Sequence, residues 1–212
     1  IDRNVGEILA LLEELGLDEK TVVFFCSDNG GIPLATEVFR PCGPLRGFKG
    51  SLYEGGLRVP LVVRWPGRIE PGTESDHLCY FPDVMPTLAE LAGAGEHVPA
   101  GIDGISFVPT LLGEAAAGRK QEEHEYLYWE QPGRRGAQAI RMGKWKAVWP
   151  GFGRKERPPV ELYDLSADPG EADDVAGKRA DVAAKARKTI AEAHVPPLPQ
   201  LEPPTPEGRA YR

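Results

Sequence analysis

Ser27-Asp28-Asn29-Gly30 follows directly on the apolar run Thr21-Val22-Val23-Phe24-Phe25-Cys26. A carboxylate and a carboxamide thus stand side by side at the carboxyl end of a strand, where open α/β sheets bind ligands. Both offer hard oxygen, which suits Ca²⁺ or Mg²⁺ better than zinc. Asp-Asn-Gly also makes a turn on its own account, because it favours positive φ and local side-chain bonds. Further along, Leu45-Arg46-Gly47-Phe48-Lys49-Gly50 leads into Ser51-Leu52-Tyr53-Glu54-Gly55-Gly56-Leu57-Arg58-Val59-Pro60, so cations and glycines alternate just ahead of a second strand. A divalent cation with an ammonium beside it is what a tetrahedral oxyanion needs. Gly47 and Gly50 allow backbone to approach such a ligand closely.

These residues need a scaffold, and the flanking patterns supply one. Asp2 is placed to cap a helix over residues 2–15, in which Val5, Ile8, Leu9, Leu12 and Leu15 recur at helical spacing and which Gly16 stops. Residues 59–65 form a continuous apolar run, the pattern of a strand buried on both faces. Pro82 opens a helix over 82–92 with Val84, Met85, Leu88 and Leu91 inward, ended by Gly93. The order helix, strand, loop, strand, helix is half of an α/β sheet sandwich, with both strands expected in one mostly parallel or mixed sheet. This unit is assigned to residues 1–115.

A linker rich in alanine and charge follows at 114–121. Residues 121–194 then read as a small antiparallel sheet closed by a helix. Aromatic and polar residues alternate over 124–130, 136–142 and 144–149 form a hairpin around Gly143, 160–165 adds a strand, and 171–193 reads as the helix. In residues 195–212 prolines accumulate at 196, 197, 199, 203, 204 and 206, giving an extended tail.

The chain has 212 residues, 41% hydrophobic and 27% charged, enough for a real core. Its net charge of −7 gives no basic footprint for nucleic acid. No apolar run is long enough to span a membrane. The three cysteines, Cys26, Cys42 and Cys79, have no metal-like spacing, and Cys26 reads as a buried, inert strand residue. His77, His97, His124 and His194 are scattered, with none paired to a carboxylate at ligand spacing; His77 is nearest the face of interest. Trp129, Trp145 and Trp149 with Tyr126 and Tyr128 could floor a sugar cleft, but their alternation within strands favours core packing.

Taken together, the Asp-Asn-Gly element and the run from Lys49 to Pro60 resemble the type I sulfatases (arylsulfatase family, alkaline-phosphatase superfamily). Trp65-Pro66-Gly67, Asp83-Val84-Met85-Pro86-Thr87-Leu88, Arg141-Met142-Gly143-Lys144-Trp145-Lys146 and Glu161-Leu162-Tyr163-Asp164-Leu165-Ser166-Ala167-Asp168-Pro169 extend the likeness through Ala193. The resemblance implies an alkaline-phosphatase-like sheet sandwich followed by a small antiparallel sheet with one helix. It makes Asp28 and Asn29 ligands of Ca²⁺ (Mg²⁺ is also compatible) and Lys49 the catalytic lysine that binds sulfate. Arg46 falls between substrate rim and structural contact, and Arg58 buttresses the loop through Glu54 or backbone carbonyls. Phosphatase-type relatives carry histidine where Asn29 stands, so asparagine favours a sulfatase with calcium.

The resemblance also implies that this is the C-terminal part of such an enzyme. The Asp-Asp metal pair, the Cys-x-Pro-Ser-Arg motif whose cysteine becomes formylglycine, a catalytic histidine and a second lysine are expected ahead of Ile1. So is any signal peptide: with one the enzyme is periplasmic or secreted, without one cytoplasmic. Alone, the chain is expected to be inert and to associate with that segment or with a second copy. Cys42-Gly43-Pro44-Leu45-Arg46 fits the minimal formylglycine pattern, but it aligns with the family's lysine loop and leads into no apolar helix. Cys42 is therefore expected to stay a thiol. The implied function is sulfate-ester hydrolysis. A phosphodiesterase or phosphonate hydrolase of the same superfamily and a non-catalytic module for sulfated glycans are the alternatives.

Overall fold

The structure, a computed structural model, describes residues 1–34, 36–133 and 136–196. Helix α1 (Asp2–Glu14) ends where Gly16 takes φ +64°, the left-handed turn glycine adopts without steric cost. Its N-cap is Ile1 rather than Asp2, which lies in the first turn and complements the helix dipole. Its apolar stripe is only partly covered: Val5, Leu9 and Leu12 are half-buried, while Ile8, Leu11 and Leu15 are exposed.

Strand β1 (Val23–Cys26) pairs with β2 (Leu61–Arg64), Val23 opposite Arg64 and Cys26 opposite Leu61. The two runs share one sheet, but their pairing is antiparallel, not parallel. The connection explains this. The described residues of 27–60 contain only the one-turn helices α2 (Thr36–Phe39) and α3 (Glu54–Leu57), with no long helix among them to carry the chain back across the sheet for a parallel return. Because Cys26 faces Leu61, the connection leaves and re-enters at one end of the pair. Asp28, Asn29, Arg46 and Lys49 all belong to that end. Neither strand is buried on both faces; Phe25, Leu61 and Val62 are exposed, and so is Cys26, expected inside. Two strands alone cannot cover both faces of a sheet.

A 3₁₀ turn (Phe81–Asp83) precedes α4 (Val84–Leu91). The buried residues are Asp83, Pro86 and Thr87; of the expected apolar set Val84 and Leu91 are half-buried, while Met85 and Leu88 are exposed. The inward side is polar because its groups are hydrogen-bonded. Asp83 accepts the N–H groups of Tyr80 and Ile105, and the Thr87 hydroxyl donates to the Asp83 carbonyl while accepting from the Phe107 N–H. Phe107 in turn meets Phe24 of β1 edge-to-face at 6.3 Å. Helices α5 (Val108–Leu112) and α6 (Glu114–Ala117) follow. The expected linker is tied down: Arg119 pairs with Glu90 at 2.7 Å, and Gln121 accepts from Thr110.

Beyond it, β3 (Leu127–Gln131), β4 (Ala137–Met142), β5 (Trp145–Pro150) and β6 (Glu161–Asp164) form an antiparallel meander in that order. Alternation along β4 and β5 gives the sheet two different faces. Ile140 and Ala147 join Leu162 against Ala183, Ala186 and Ile190 of α7 (Ala180–Ala193), with Trp145 and Trp149 packed at the margin. Ala139 and Val148 face the other way, onto Leu52, with Tyr53, Leu57 and Trp129 around them. One face of the small sheet thus carries a helix and the other carries the lysine loop.

Helix α7 begins at Ala180, later than the expected 171. Glu171 is buried with φ +53°, and residues 171–179 run as turns held by Asp174, which accepts from Leu162 N–H, and by Val175 N–H, which donates to the Leu162 carbonyl. No helix among the described residues is long and apolar enough to cross a membrane. From Pro197 onward the proline-rich tail lies outside the described residues.

Candidate active site

Residues 27–60 fold as a knot of backbone hydrogen bonds. Gly30 N–H donates to Gly56 O at 3.0 Å, Lys49 N–H to Gly31 O at 2.9 Å, and Gly55 N–H to Arg46 O at 2.7 Å. These bonds bring the Asp28–Asn29 turn and the lysine loop into register. Their closeness explains the glycines. A Cβ on Gly30 would fall 1.8 Å from Gly55 O, one on Gly55 2.4 Å from Gly47 O, and one on Gly56 2.1 Å from Ser51 O. Gly31 and Pro41 are pressed together likewise, a Cβ on Gly31 lying 2.4 Å from Pro41 Cβ. Gly47 and Gly50 take φ near +83° and +84°, so the turns about Lys49 need them for conformation.

Gly55→Ala therefore drives a methyl into two backbone carbonyls and is expected to cost more than about 2 kcal/mol. Gly6→Ala, in exposed α1 where nothing lies within 4 Å of the new carbon, is expected to be neutral or stabilising. Thermal melts of the two variants side by side check both.

Asp28 is exposed, and its carboxylate has no hydrogen bond or ion pair among the described residues. Ser27 Oγ donates to Asn29 O at 2.8 Å, so the motif does form a turn. Asn29 Nδ2 donates to Gly30 O at 3.2 Å, which orients the amide, and its oxygen has no hydrogen bond among the described residues. Carboxylate plus amide oxygen is a donor set that fits a hard cation. Among the described residues no group of three or more His, Cys, Asp or Glu gathers to hold a metal, so these two alone do not make a full shell. Lys49 is exposed, and its ammonium likewise has no partner among the described residues.

Arg46 lies against the C-terminal sheet. Its Nη1 donates to Tyr163 OH at 2.7 Å and to Glu171 O at 3.0 Å, and its guanidinium stacks 3.8 Å from the centre of the Tyr53 ring. Tyr53 and Tyr163 both donate to Glu161 Oε2, at 2.6 and 2.7 Å. Burial, and then the Glu161 carboxylate, pushes both phenols far above their usual range, so they stay neutral donors. Arg46 thereby anchors the lysine loop.

Arg58 was expected to buttress the loop through Glu54 or backbone carbonyls; it is exposed, its N–H donates to Glu54 O, and its side chain does not pair with the Glu54 carboxylate. The partner is Lys146, fully buried on β5, at 2.8 Å from Glu54 Oε1. Lys146 also lies 3.5 Å from Glu171 Oε1, Arg141 lies 3.6 Å from Glu54 Oε2, and Glu54 N–H donates to Glu171 Oε2 at 2.7 Å. One sequence sign of this cluster exists: Lys146 alternates with Ala147 and shares the Val148 face of an otherwise apolar strand, so it must point inward.

Burial holds the Glu171 carboxyl above its usual 4.5, against the pull of Lys146. A folded value above the unfolded one means the native state favours the proton, so stability falls as pH rises from 4.5 through the folded value. Glu171→Gln keeps an acceptor for Glu54 N–H and is expected to remove that part of the decline. Urea melts at about pH 5 and about pH 8 should show a smaller gap for the variant; an equal gap would refute the assignment.

His124 has no carboxylate at ligand spacing in the sequence, but its Nε2 lies 2.8 Å from Asp83 Oδ1, with both side chains buried. The partners are 41 residues apart, beyond any local motif. His77 is pulled below its usual value by burial. Cys42 Sγ donates to Gly55 O at 3.1 Å, and residues 42–50 run as turns and bends rather than into a helix.

Against known proteins, residues 48–195 match the family model for the C-terminal region of N-sulphoglucosamine sulphohydrolase, and residues 1–94 match the sulfatase model. The chain is 39% identical to mouse steryl-sulfatase, over 81% of the chain and 31% of that protein. It is 37% identical to human arylsulfatase A, over 81% and 36%. A sulfatase structure from work on glycosaminoglycan metabolism by Bacteroides thetaiotaomicron superposes with a TM-score of 0.68 at 29% identity, covering 90% of this chain and 42% of that one. The chain thus spans about a third of the length of these curated relatives. The fold is that of the alkaline-phosphatase-like hydrolases. Within that class, the chain belongs to the type I sulfatases, a family of sulfuric ester hydrolases, and corresponds to their C-terminal portion.

Proposed function

We propose that this chain forms the Lys49 side of a sulfate-ester hydrolase that catalyses R–O–SO₃⁻ + H₂O → R–OH + SO₄²⁻ + H⁺. The observation that supports the reading is the bond from Lys49 N–H to Gly31 O, which ties the backbone of the lysine loop to the segment just after Asp28 and Asn29, while the exposed Lys49 and Asp28 side chains have no partner among the described residues. Asp28 and the Asn29 amide oxygen would hold Ca²⁺, or Mg²⁺, which when bound supplies positive charge to the sulfuryl oxygens. Lys49 holds a nonbridging sulfate oxygen and stabilises the charge that grows as the S–O ester bond breaks. Arg46, Tyr53 and the Glu54–Lys146 pair fix the loop that carries it. The nucleophile, a hydrated formylglycine, comes from a segment outside these 212 residues. Asn29, a carboxamide where a zinc phosphodiesterase would use imidazole, favours sulfate over phosphate diesters.

The 212-residue chain alone is expected to leave 4-nitrocatechol sulfate unhydrolysed and to bind Ca²⁺ weakly, because two oxygen ligands hold a hard cation poorly. Adding the formylglycine-bearing segment is expected to restore turnover. Micromolar Ca²⁺ affinity by calorimetry for the chain alone, or turnover without the added segment, would contradict the reading.

A further inference from the structure

Beside the lysine loop lies a cavity of about 260 Å³ lined by Arg40, Pro41, Cys42, Gly43, Leu45, Gly47 and Phe48. We propose that this cavity seats the leaving-group alcohol of the sulfate ester, and that Arg40 pairs with a second anionic substituent on it. This rests on the reading of Lys49 as the sulfate-binding group.

Position is the first argument. Gly47 and Phe48 form one wall and directly precede Lys49, whose backbone is fixed to Gly31. The cavity wall thus ends one residue before Lys49, within reach of the ester substituent of a sulfate held by that side chain. Size is the second. Pockets for drug-sized ligands run to about 300–1,000 Å³, so this one suits a single ring rather than an extended chain. The third is the lining. The Phe48 ring is 45% exposed and Leu45 is half-buried, which offers apolar surface to a ring face. Cys42 turns its thiol to Gly55 O and so presents no free nucleophile to the cavity.

Charge decides the ligand class. No carboxylate lines the cavity, and its one cation, Arg40, is exposed with no hydrogen bond or ion pair among the described residues. Arg40 also has φ +40°, a left-handed backbone that costs a non-glycine residue about 1–2 kcal/mol. A side chain held there at such a cost, with no partner among the described residues and lining a cavity, points to a ligand as its partner. A guanidinium meets carboxylate or sulfate with two parallel N–H donors, so either group satisfies it.

The test is an NMR titration of the 212-residue chain at low salt with phenyl sulfate, 3-carboxyphenyl sulfate and 1,3-phenylene disulfate. The two doubly charged probes are expected to bind about 10-fold tighter than phenyl sulfate, with a difference that shrinks as salt is added. Arg40→Ala should erase the difference, and Arg40→Lys should keep part of it. Lys49→Ala should weaken all three probes. If Arg40→Ala leaves the preference intact, or if no probe shifts the cavity resonances of the wild-type chain, the assignment of Arg40 is wrong. If the preference depends on Arg40 but Lys49→Ala changes nothing, the cavity stands and the sulfate site at Lys49 falls. Preference for only one doubly charged probe identifies the second anion as carboxylate or as sulfate.

Discussion

Lys49→Ala in the complete enzyme is expected to lower kcat for an aryl sulfate by about 10²-fold or more, the scale on which one preorganised charge stabiliser acts. The melting temperature should not move, because the ammonium has no partner among the described residues and the fold draws nothing from it. The loop is held instead by the backbone N–H of residue 49, which the substitution keeps. Lys49→Arg preserves the charge but replaces a compact ammonium with a wider planar group, so an intermediate loss is expected. Steady-state kinetics and a thermal melt on the same preparations check the prediction together. Full activity in Lys49→Ala would place the sulfate clamp elsewhere, and a large loss of stability would make the lysine structural.

Lys146→Met is expected to do the reverse, with its first effect on folding. It leaves Glu54 and Glu171 facing each other inside the protein with only the more distant Arg141 nearby. Removing one partner of a buried ion pair costs roughly 3–5 kcal/mol, because the remaining charge has neither water nor counterion. For a domain of this size that is a drop in melting temperature of about 10 °C. The compensated variant Lys146→Met, Glu54→Gln, Glu171→Gln removes the stranded charges and should recover most of the loss. No recovery would show that the rest of the lysine's surroundings, including the Trp129 ring 5.8 Å from its ammonium, matters more than its pairing with the two carboxylates. In the complete enzyme the single variant should also lose activity, since Glu54 begins the helix that follows the lysine loop.

The features legible in the sequence were those set by local rules. Gly16 ended α1 and Gly143 turned the β4–β5 hairpin, because left-handed backbone is a one-residue requirement. The turn at Ser27–Gly30 and the glycine-dependent turns about Lys49 were recognisable because Asp-Asn-Gly and flanking glycines are local patterns. What escaped depends on neighbours far along the chain. The helix 171–193 was read as continuous because Glu171 has ordinary helical propensity; its burial beneath Lys146 and its left-handed backbone are tertiary. His124 and Asp83 gave no hint of each other across 41 residues. The apolar face of α4 was taken as inward, whereas the hydrogen bonds of Asp83 and Thr87 set the buried side.

The pinch between Gly31 and Pro41 has a consequence for how such a chain can diversify. With Gly31 and Pro41 already in contact, lengthening the segment between them is expected to leave the strand pair and the lysine loop in place. For a loop closed at its base, each doubling of length costs only about 0.6 kcal/mol. Segments of different length and composition could therefore be grafted between positions 31 and 41 while the hydrolytic frame stays fixed. Arg40 sits at the end of that exchangeable segment, which makes it a place where one ancestral frame could acquire new substrate preferences by insertion rather than by redesign.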